Sequence, residues 1–80
     1  MTRQEVFERL NEVFQEVFDR PDIAVTDATA APDVAGWDSL SHIRLIGAVE
    51  DEFDVLFDVK DIVGMKNVGD MADLILAGAG

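Results

Sequence analysis

The chain opens with apolar and polar positions alternating at the spacing of an amphipathic helix. Apolar side chains recur every three or four residues and share one arc of that helix. They are Val6, Phe7, Leu10, Val13, Phe14, Val17 and Phe18. Thr2 and Glu5 match a capping box at its start, and Pro21 disfavours helical geometry at the residue before it. The pattern therefore predicts a first helix that ends near Phe18 or Asp19.

Residues 19–37 show no sustained period and contain Pro21, Pro32 and Gly36. Because proline and glycine interrupt regular structure, we predict a long ordered loop here. Three aliphatic residues are expected to pin it to the core, namely Ile23, Val25 and Val34. A loop of this length in a small domain usually has a functional reason. We expect it to carry the chain back along the first helix.

Helical periodicity returns after residue 37 and predicts a second helix, which either Asp38 or Ser39 caps. Its predicted buried stripe is Ile43, Leu45, Ile46, Val49 and Phe53, with Leu56 as a last candidate. The opposite face carries Ser41, Arg44, Gly47, Ala48 and Asp51. Leu40 breaks the pattern because it projects from the polar face beside Ser39. Isolated surface leucines are common, but this position also fits a contact site for a partner.

The remaining sequence predicts a short helix and a longer last helix. The segment from Asp58 to Met65 has room for one or two turns and ends at Gly64. Asn67 is predicted to cap the last helix, whose inward residues are Val68, Met71, Ala72 and Ile75. We expect residues 78–80 to fray. The fold class predicted for residues 1–80 is all-α, a single small four-helix bundle with a long loop between helices one and two.

Composition narrows the range of functions. Eighty residues build one core and leave little material for a deep catalytic cleft. The net charge of −11 repels nucleic acid and anionic membranes and attracts basic protein surfaces. The sequence has neither an apolar signal segment nor a membrane-spanning run. We therefore expect a monomeric cytoplasmic protein with basic protein partners, no nucleic-acid or membrane partner and, because no calcium-loop pattern is present, no metal.

The run Gly36-Trp37-Asp38-Ser39-Leu40 resembles the G-x-D-S-L attachment motif of acyl carrier proteins. Three further features lie where that family has them. They are the acidic run Glu50-Asp51-Glu52-Phe53, a short third helix, and Val68-Gly69-Asp70 at the start of the last helix. The resemblance covers nearly the whole chain. It differs from many members at Ser41 and Arg44, where those members carry acidic residues.

The resemblance implies a non-catalytic carrier with phosphopantetheine attached covalently to Ser39. A phosphopantetheinyl transferase would supply the arm from coenzyme A, and acyl thioesters on it would serve fatty-acid, polyketide or related specialised biosynthesis. Other implied partners are acyl- or aminoacyl-loading ligases, synthases and transferases with basic docking patches. Predicted partner contacts are Asp38, Leu40, Arg44, Gly47, Glu50, Asp51 and Asp54. Free amides and the dipole at the helix N-terminus would favour a phosphate near Ser39.

Two residues beside the motif each have two interpretations. His42 falls in line with the buried stripe, as a core-edge histidine with a hydrogen-bonded ring or as a polar group lining a crevice for cargo or arm. Trp37 either anchors the end of the loop or contacts the arm. A catalytic pairing of Ser39 with His42 is disfavoured, because no third group orients the histidine.

Three alternatives stay open at this point. Ser39 alone could be a simple N-cap. A free-standing aminoacyl or peptidyl carrier loaded by a dedicated ligase would share the arm, although its motif commonly has two glycines before the serine region. An acidic helical interaction module, such as a nucleic-acid mimic, would need the charge without Ser39. Because the chain begins at Met1 and ends soon after its last helix, we expect a free-standing carrier.

Overall fold

The computed structural model describes residues 1–79, in which every regular element is helical. Its helices are α1 Arg3–Val17, α2 Ser39–Phe53, α3 Val59–Gly64 and α4 Val68–Ala79. A single 3₁₀ turn at Ala31–Asp33 interrupts the connection between α1 and α2. The fold class predicted from the sequence is therefore confirmed, including the long loop and the short third helix.

Helix α1 begins with the predicted capping box. The Thr2 hydroxyl accepts from the Glu5 amide at 3.1 Å, and the Glu5 carboxylate accepts from the Thr2 amide at 3.1 Å. Phe18 is the C-cap, so the predicted end is confirmed. The face buried by α1 consists of Val6, Leu10, Val13 and Phe14.

Helix α1 packs against both α2 and α4 and so forms the centre of the bundle. The buried residues of the other two helices share one core cluster with those of α1, and they are Leu45, Ile46, Val49 and Phe53 from α2 and Val68, Met71, Ala72 and Ile75 from α4. Arg9 joins α1 to α2 at the edge of this core. Its Nε donates to Glu52 at 2.8 Å, and its guanidinium lies 4.8 Å from the centroid of the Phe53 ring. These contacts fix the rotation of α2.

Two residues predicted to be buried are exposed. Ile43 is 69% exposed, because it lies about 60° around α2 from Ile46, beyond the part of the helix that packs on α1. Leu56 is 91% exposed. Helix α2 ends at Phe53, and Asp54 then adopts a left-handed conformation with φ 54°. This turn places Val55 in the core in place of Leu56.

The long loop is held against α1 by side-chain hydrogen bonds. The Asn11 carbonyl oxygen accepts from the Val25 amide at 2.7 Å, and the Gln15 amide donates to the Ile23 carbonyl at 2.9 Å. Val25 is buried, as is Val34 further along. Since these bonds satisfy backbone groups that a loop would otherwise leave unpaired, the loop follows α1 as predicted.

The same loop is also tied to the start of α4. The amides of Val68 and Gly69 donate to the carbonyls of Thr29 and Asp27, at 2.8 and 3.0 Å. Gly69 lies so close that a Cβ there would be 2.8 Å from the Asp27 carbonyl oxygen. The loop therefore connects α1 with α4, and this attachment fixes the point at which α2 begins.

Helix α4 has the predicted cap, because the Asn67 side chain accepts from the Asp70 amide at 2.8 Å. The helix includes Gly78 and Ala79, two of the three residues for which the sequence predicts fraying, and Gly80 lies outside the described residues. Within residues 1–79, no helix combines the length and hydropathy needed to cross a bilayer.

Gly47 and Gly69 give opposite predictions for alanine. A Cβ at Gly47 meets open space, so Gly47→Ala should raise the free energy of unfolding by about 0.5–1 kcal/mol through helix propensity. At Gly69 an added Cβ would force the nearby Asp27 carbonyl to move. Gly69→Ala should therefore lower the free energy of unfolding by about 1–3 kcal/mol. Urea denaturation measures both changes. An unchanged stability of Gly69→Ala would show that the loop is not held tightly against α4.

Candidate functional site

Asp38 fixes the first residue of α2. Its carboxylate accepts from the amides of Leu40 and Ser41 at 3.1 and 2.9 Å, and the Ser41 hydroxyl accepts from the Asp38 amide at 2.8 Å. Of the two candidate caps, Asp38 is therefore the N-cap, and Ser39 is the first helical residue. The Ser41 hydroxyl also donates to the Gly36 carbonyl at 2.7 Å, which ties the cap to the loop.

The cap depends on the ionised carboxylate. Hydrogen bonds from the Ser41 amide and hydroxyl, opposed by a smaller desolvation effect, hold the pKa of Asp38 below its ordinary 3.8. The charged form also interacts favourably with the positive end of the α2 dipole. The Asp38 carboxylate is therefore charged at neutral pH and adds negative charge beside Ser39.

Ser39 is exposed, and its hydroxyl forms no hydrogen bond within the described part of the chain. Because Asp38 is the N-cap, the interpretation of Ser39 as a simple N-cap is wrong. The amides predicted to be free for a phosphate at the start of α2 are free only in part. The amides of Leu40 and Ser41 are occupied by the Asp38 carboxylate, so they are not free for a phosphate.

Trp37 anchors the end of the loop, as the first interpretation predicts. Its ring packs edge-on against Phe14 at 5.2 Å and tilted against Phe18 at 6.4 Å between centroids. Gly36 adopts φ 89° just before it, a left-handed conformation that glycine reaches without strain. The turn and the aromatic contacts together position Asp38 at the top of α2.

His42 is a half-buried residue at the edge of the core. Trp37 Nε1–H donates to its Nδ1 at 3.1 Å, and the two rings stack with an interplanar angle of 27°. The predicted hydrogen-bonded ring is therefore confirmed. Trp37 occupies the nitrogen that an orienting carboxylate would need in a catalytic triad.

A groove of about 420 Å³ runs from Ser39 towards α3 and α4. Its lining includes Trp37, Ser39, His42, Ile62, Val63, Met65, Lys66, Asn67 and Met71. Another groove of about 480 Å³ lies between α1 and α2, but its lining includes Arg44 and Asp51 and not Ser39. The groove beside Ser39 is the one that a group attached to this hydroxyl would reach first.

The predicted partner contacts occupy the exposed side of α2, with one exception. Leu40 is 75% exposed, and the exposed residues that accompany it are Asp38, Arg44, Gly47, Asp51 and Asp54. Glu50 differs because it is half-buried and accepts from the Phe57 amide at 2.9 Å. Its carboxylate therefore closes the turn after α2.

Sequence reasoning missed the contribution of α3. Val63 of α3 and Lys66, which follows the helix, line the groove beside Ser39, and Val59 joins Val63 as an exposed apolar residue. Helix α3 has only six residues, too few for a hydrophobic period to define its faces. Ile43 of α2 is a further exposed apolar residue, which the sequence prediction had placed in the buried stripe. No cluster of three potential metal ligands occurs in residues 1–79.

A free serine hydroxyl at the first residue of a capped helix, beside a groove, is suited to covalent attachment and defines a carrier-type helical bundle. A family model described as the phosphopantetheine attachment site matches residues 8–75. The chain therefore belongs to the phosphopantetheine attachment family, within its acyl carrier proteins, which are non-catalytic carriers.

Curated relatives and a solved structure agree with this assignment. The acyl carrier protein of Saccharopolyspora erythraea is 32% identical over 95% of this chain and 80% of its own length. That of Thermotoga maritima is 30% identical over 92% of this chain and 91% of its own. The solution structure of holo acyl carrier protein from Geobacter metallireducens superposes with a TM-score of 0.86 at 38% identity. This superposition covers 91% of the present chain and 84% of the Geobacter chain.

Asp38→Ala should lower the melting temperature at neutral pH, because two amides of α2 lose their acceptor. The pKa of Asp38 is lower in the folded than in the unfolded protein. The stabilising contribution of the Asp38 carboxylate is therefore fully present above pH 3.8. It is lost as the pH falls through the folded-state pKa of Asp38. Melting curves should show the difference in melting temperature between Asp38→Ala and wild type becoming smaller as the pH falls from about pH 5 to pH 2. Asp51→Ala, on the same helix, is the control and should show no such difference.

Proposed function

We propose that Ser39 holds a phosphopantetheine arm and that the chain presents acyl or aminoacyl cargo on it as a thioester. The partner enzymes would be those of fatty-acid, polyketide or related specialised biosynthesis. The exposed Ser39 hydroxyl without a protein partner is the observation that supports this most strongly. The arm supplies the terminal thiol on which cargo is carried.

The residues around Ser39 fit such an arm. Asp38 holds α2 at a fixed start, so the hydroxyl stays accessible to a phosphopantetheinyl transferase without unfolding of the cap. The groove beside Ser39 offers the apolar side chains of Ile62 and Met65 to an attached chain. Lys66, in the same groove, supplies a positive charge near a serine-linked phosphate. The carrier itself needs no catalytic group.

The exposed side of α2 is the proposed docking surface for partners. Leu40 supplies apolar contact beside the reacting hydroxyl, and Asp51 and Asp54 extend a negative surface along the helix. With a net charge of −11, the chain attracts enzymes that carry basic docking patches and opposes self-association. We infer a single monomeric carrier domain that works among cytoplasmic enzymes, without nucleic-acid or membrane partners.

Incubation with coenzyme A and a broad phosphopantetheinyl transferase should add one phosphopantetheinyl group to the protein. Intact mass measures the addition, and Ser39→Ala should abolish it while the melting curve stays cooperative. Ser41→Ala is the matched control, since it removes the other serine and should still be modified despite a weaker cap. Modification of Ser39→Ala, or none of wild type, contradicts the assignment and would favour an interaction module without a prosthetic group.

Leu40→Ala should slow this loading, because a contact next to the reacting hydroxyl helps to position it. Its stability should change by no more than about 0.5 kcal/mol, as is usual at surface sites. Leu56→Ala is the matched control, since Leu56 is also highly exposed but lies past the far end of α2, about 20 Å from Ser39 along the helix. Loading kinetics of both variants test the difference. Equal rates would remove Leu40 from the docking surface.

A further inference from the structure

The residues that line the groove beside Ser39 indicate which kind of cargo the protein retains. This inference rests on the proposed function. We propose that His42 is a specificity-determining residue that favours cargo with a hydrogen-bond acceptor near the thioester. A 3-oxoacyl group would be retained in the groove in preference to a saturated acyl group of the same length.

The contact with Trp37 determines which ring nitrogen of His42 carries the proton. An indole N–H only donates, so Nδ1 of His42 must accept in the 3.1 Å bond. The neutral imidazole then carries its proton on Nε2, which becomes a donor. Phe14 and Phe18 hold the Trp37 ring in turn. The tautomer and the tilt of the His42 ring are therefore set by the core.

The Nε2–H donor of His42 has no acceptor within residues 1–79, although the side chain is half-buried and lines the groove. Apolar side chains form much of the surrounding surface, including Ile62, Val63, Met65 and Met71. A saturated acyl chain lying here would remove water from this donor without replacing the hydrogen bond, which is unfavourable. A carbonyl on the acyl chain itself, such as that of a 3-oxo group, would restore it, whereas the thioester carbonyl is common to both kinds of cargo.

The other polar groups of the groove point to the same class of cargo. Asn67 uses its carbonyl oxygen to accept from the Asp70 amide, which leaves its NH₂ group as a donor. Lys66 is a donor as well. The one carboxylate in the lining, Asp38, is engaged in the α2 cap. Donors therefore outnumber free acceptors beside Ser39, which favours cargo rich in acceptor oxygens.

The test compares two cargoes of equal length on the whole protein. A broad transferase would load hexanoyl and 3-oxohexanoyl groups from their coenzyme A thioesters, and intact mass would confirm each product. The readout is the rate of thioester cleavage by hydroxylamine, divided by the rate for the same free pantetheine thioester. One hydrogen bond of ordinary strength predicts about fivefold greater protection for the 3-oxo cargo. The His42 Nε2–H and Trp37 indole resonances should shift only with that cargo.

Three variants separate the role of His42 from general packing. His42→Phe keeps a ring but has no donor, so the preference should disappear. His42→Gln keeps an N–H and should restore part of it, and Trp37→Phe should weaken it because the tautomer is no longer fixed. Melting curves identify any variant that does not fold, in which case the wild-type comparison and the other variants decide the question.

Equal protection of the two cargoes in wild type would overturn the proposal, as would a preference that persists in His42→Phe. Both outcomes leave Ser39 loaded, so they do not affect the proposed carrier function. A wild-type protein that gains no mass would instead contradict the carrier function and this inference together.

Discussion

The Asp38 carboxylate accepts hydrogen bonds from the amides of Leu40 and Ser41, and the position of the proposed attachment site depends on this cap. A helix can begin at several neighbouring residues, because its first amides need acceptors from outside the helix. Asp38 supplies that acceptor, so α2 begins at Ser39. Since a different residue satisfies the cap, the Ser39 hydroxyl is free for chemistry that another enzyme performs.

The rest of the fold supports this arrangement by fixing what comes before and after the cap. The loop lies against α1 through the side chains of Asn11 and Gln15 and against α4 through backbone hydrogen bonds, and Trp37 closes it by packing on Phe14. Helix α1 then packs against α2, whose Leu45 and Val49 are fully buried. A rigid helix with one exposed face and one free hydroxyl is what a carrier requires, because its partners must find the same surface at each encounter.

Elements with strong local signals were predictable from the sequence. The capping box at Thr2 and the motif around Ser39 depend on neighbouring residues, and the structure agrees with the predicted first cap and with the start of α2. Features that depend on how helices meet were not predictable. Periodicity placed Ile43 in the core because it cannot show how much of α2 the partner helix covers. Val63 was missed because six-residue α3 has no readable period, and the bond from Phe57 to Glu50 arises from the turn after α2.

We propose above all that Ser39 carries a phosphopantetheine arm with cargo. The most direct test of this proposal is mass spectrometry of the protein purified from its own host, followed by fragmentation of the peptide that contains Ser39. We expect a phosphopantetheinyl group on Ser39, part of it bearing an acyl or aminoacyl thioester whose mass identifies the cargo. A protein that is wholly unmodified in cells with an active transferase, or modified at another residue, would contradict the account.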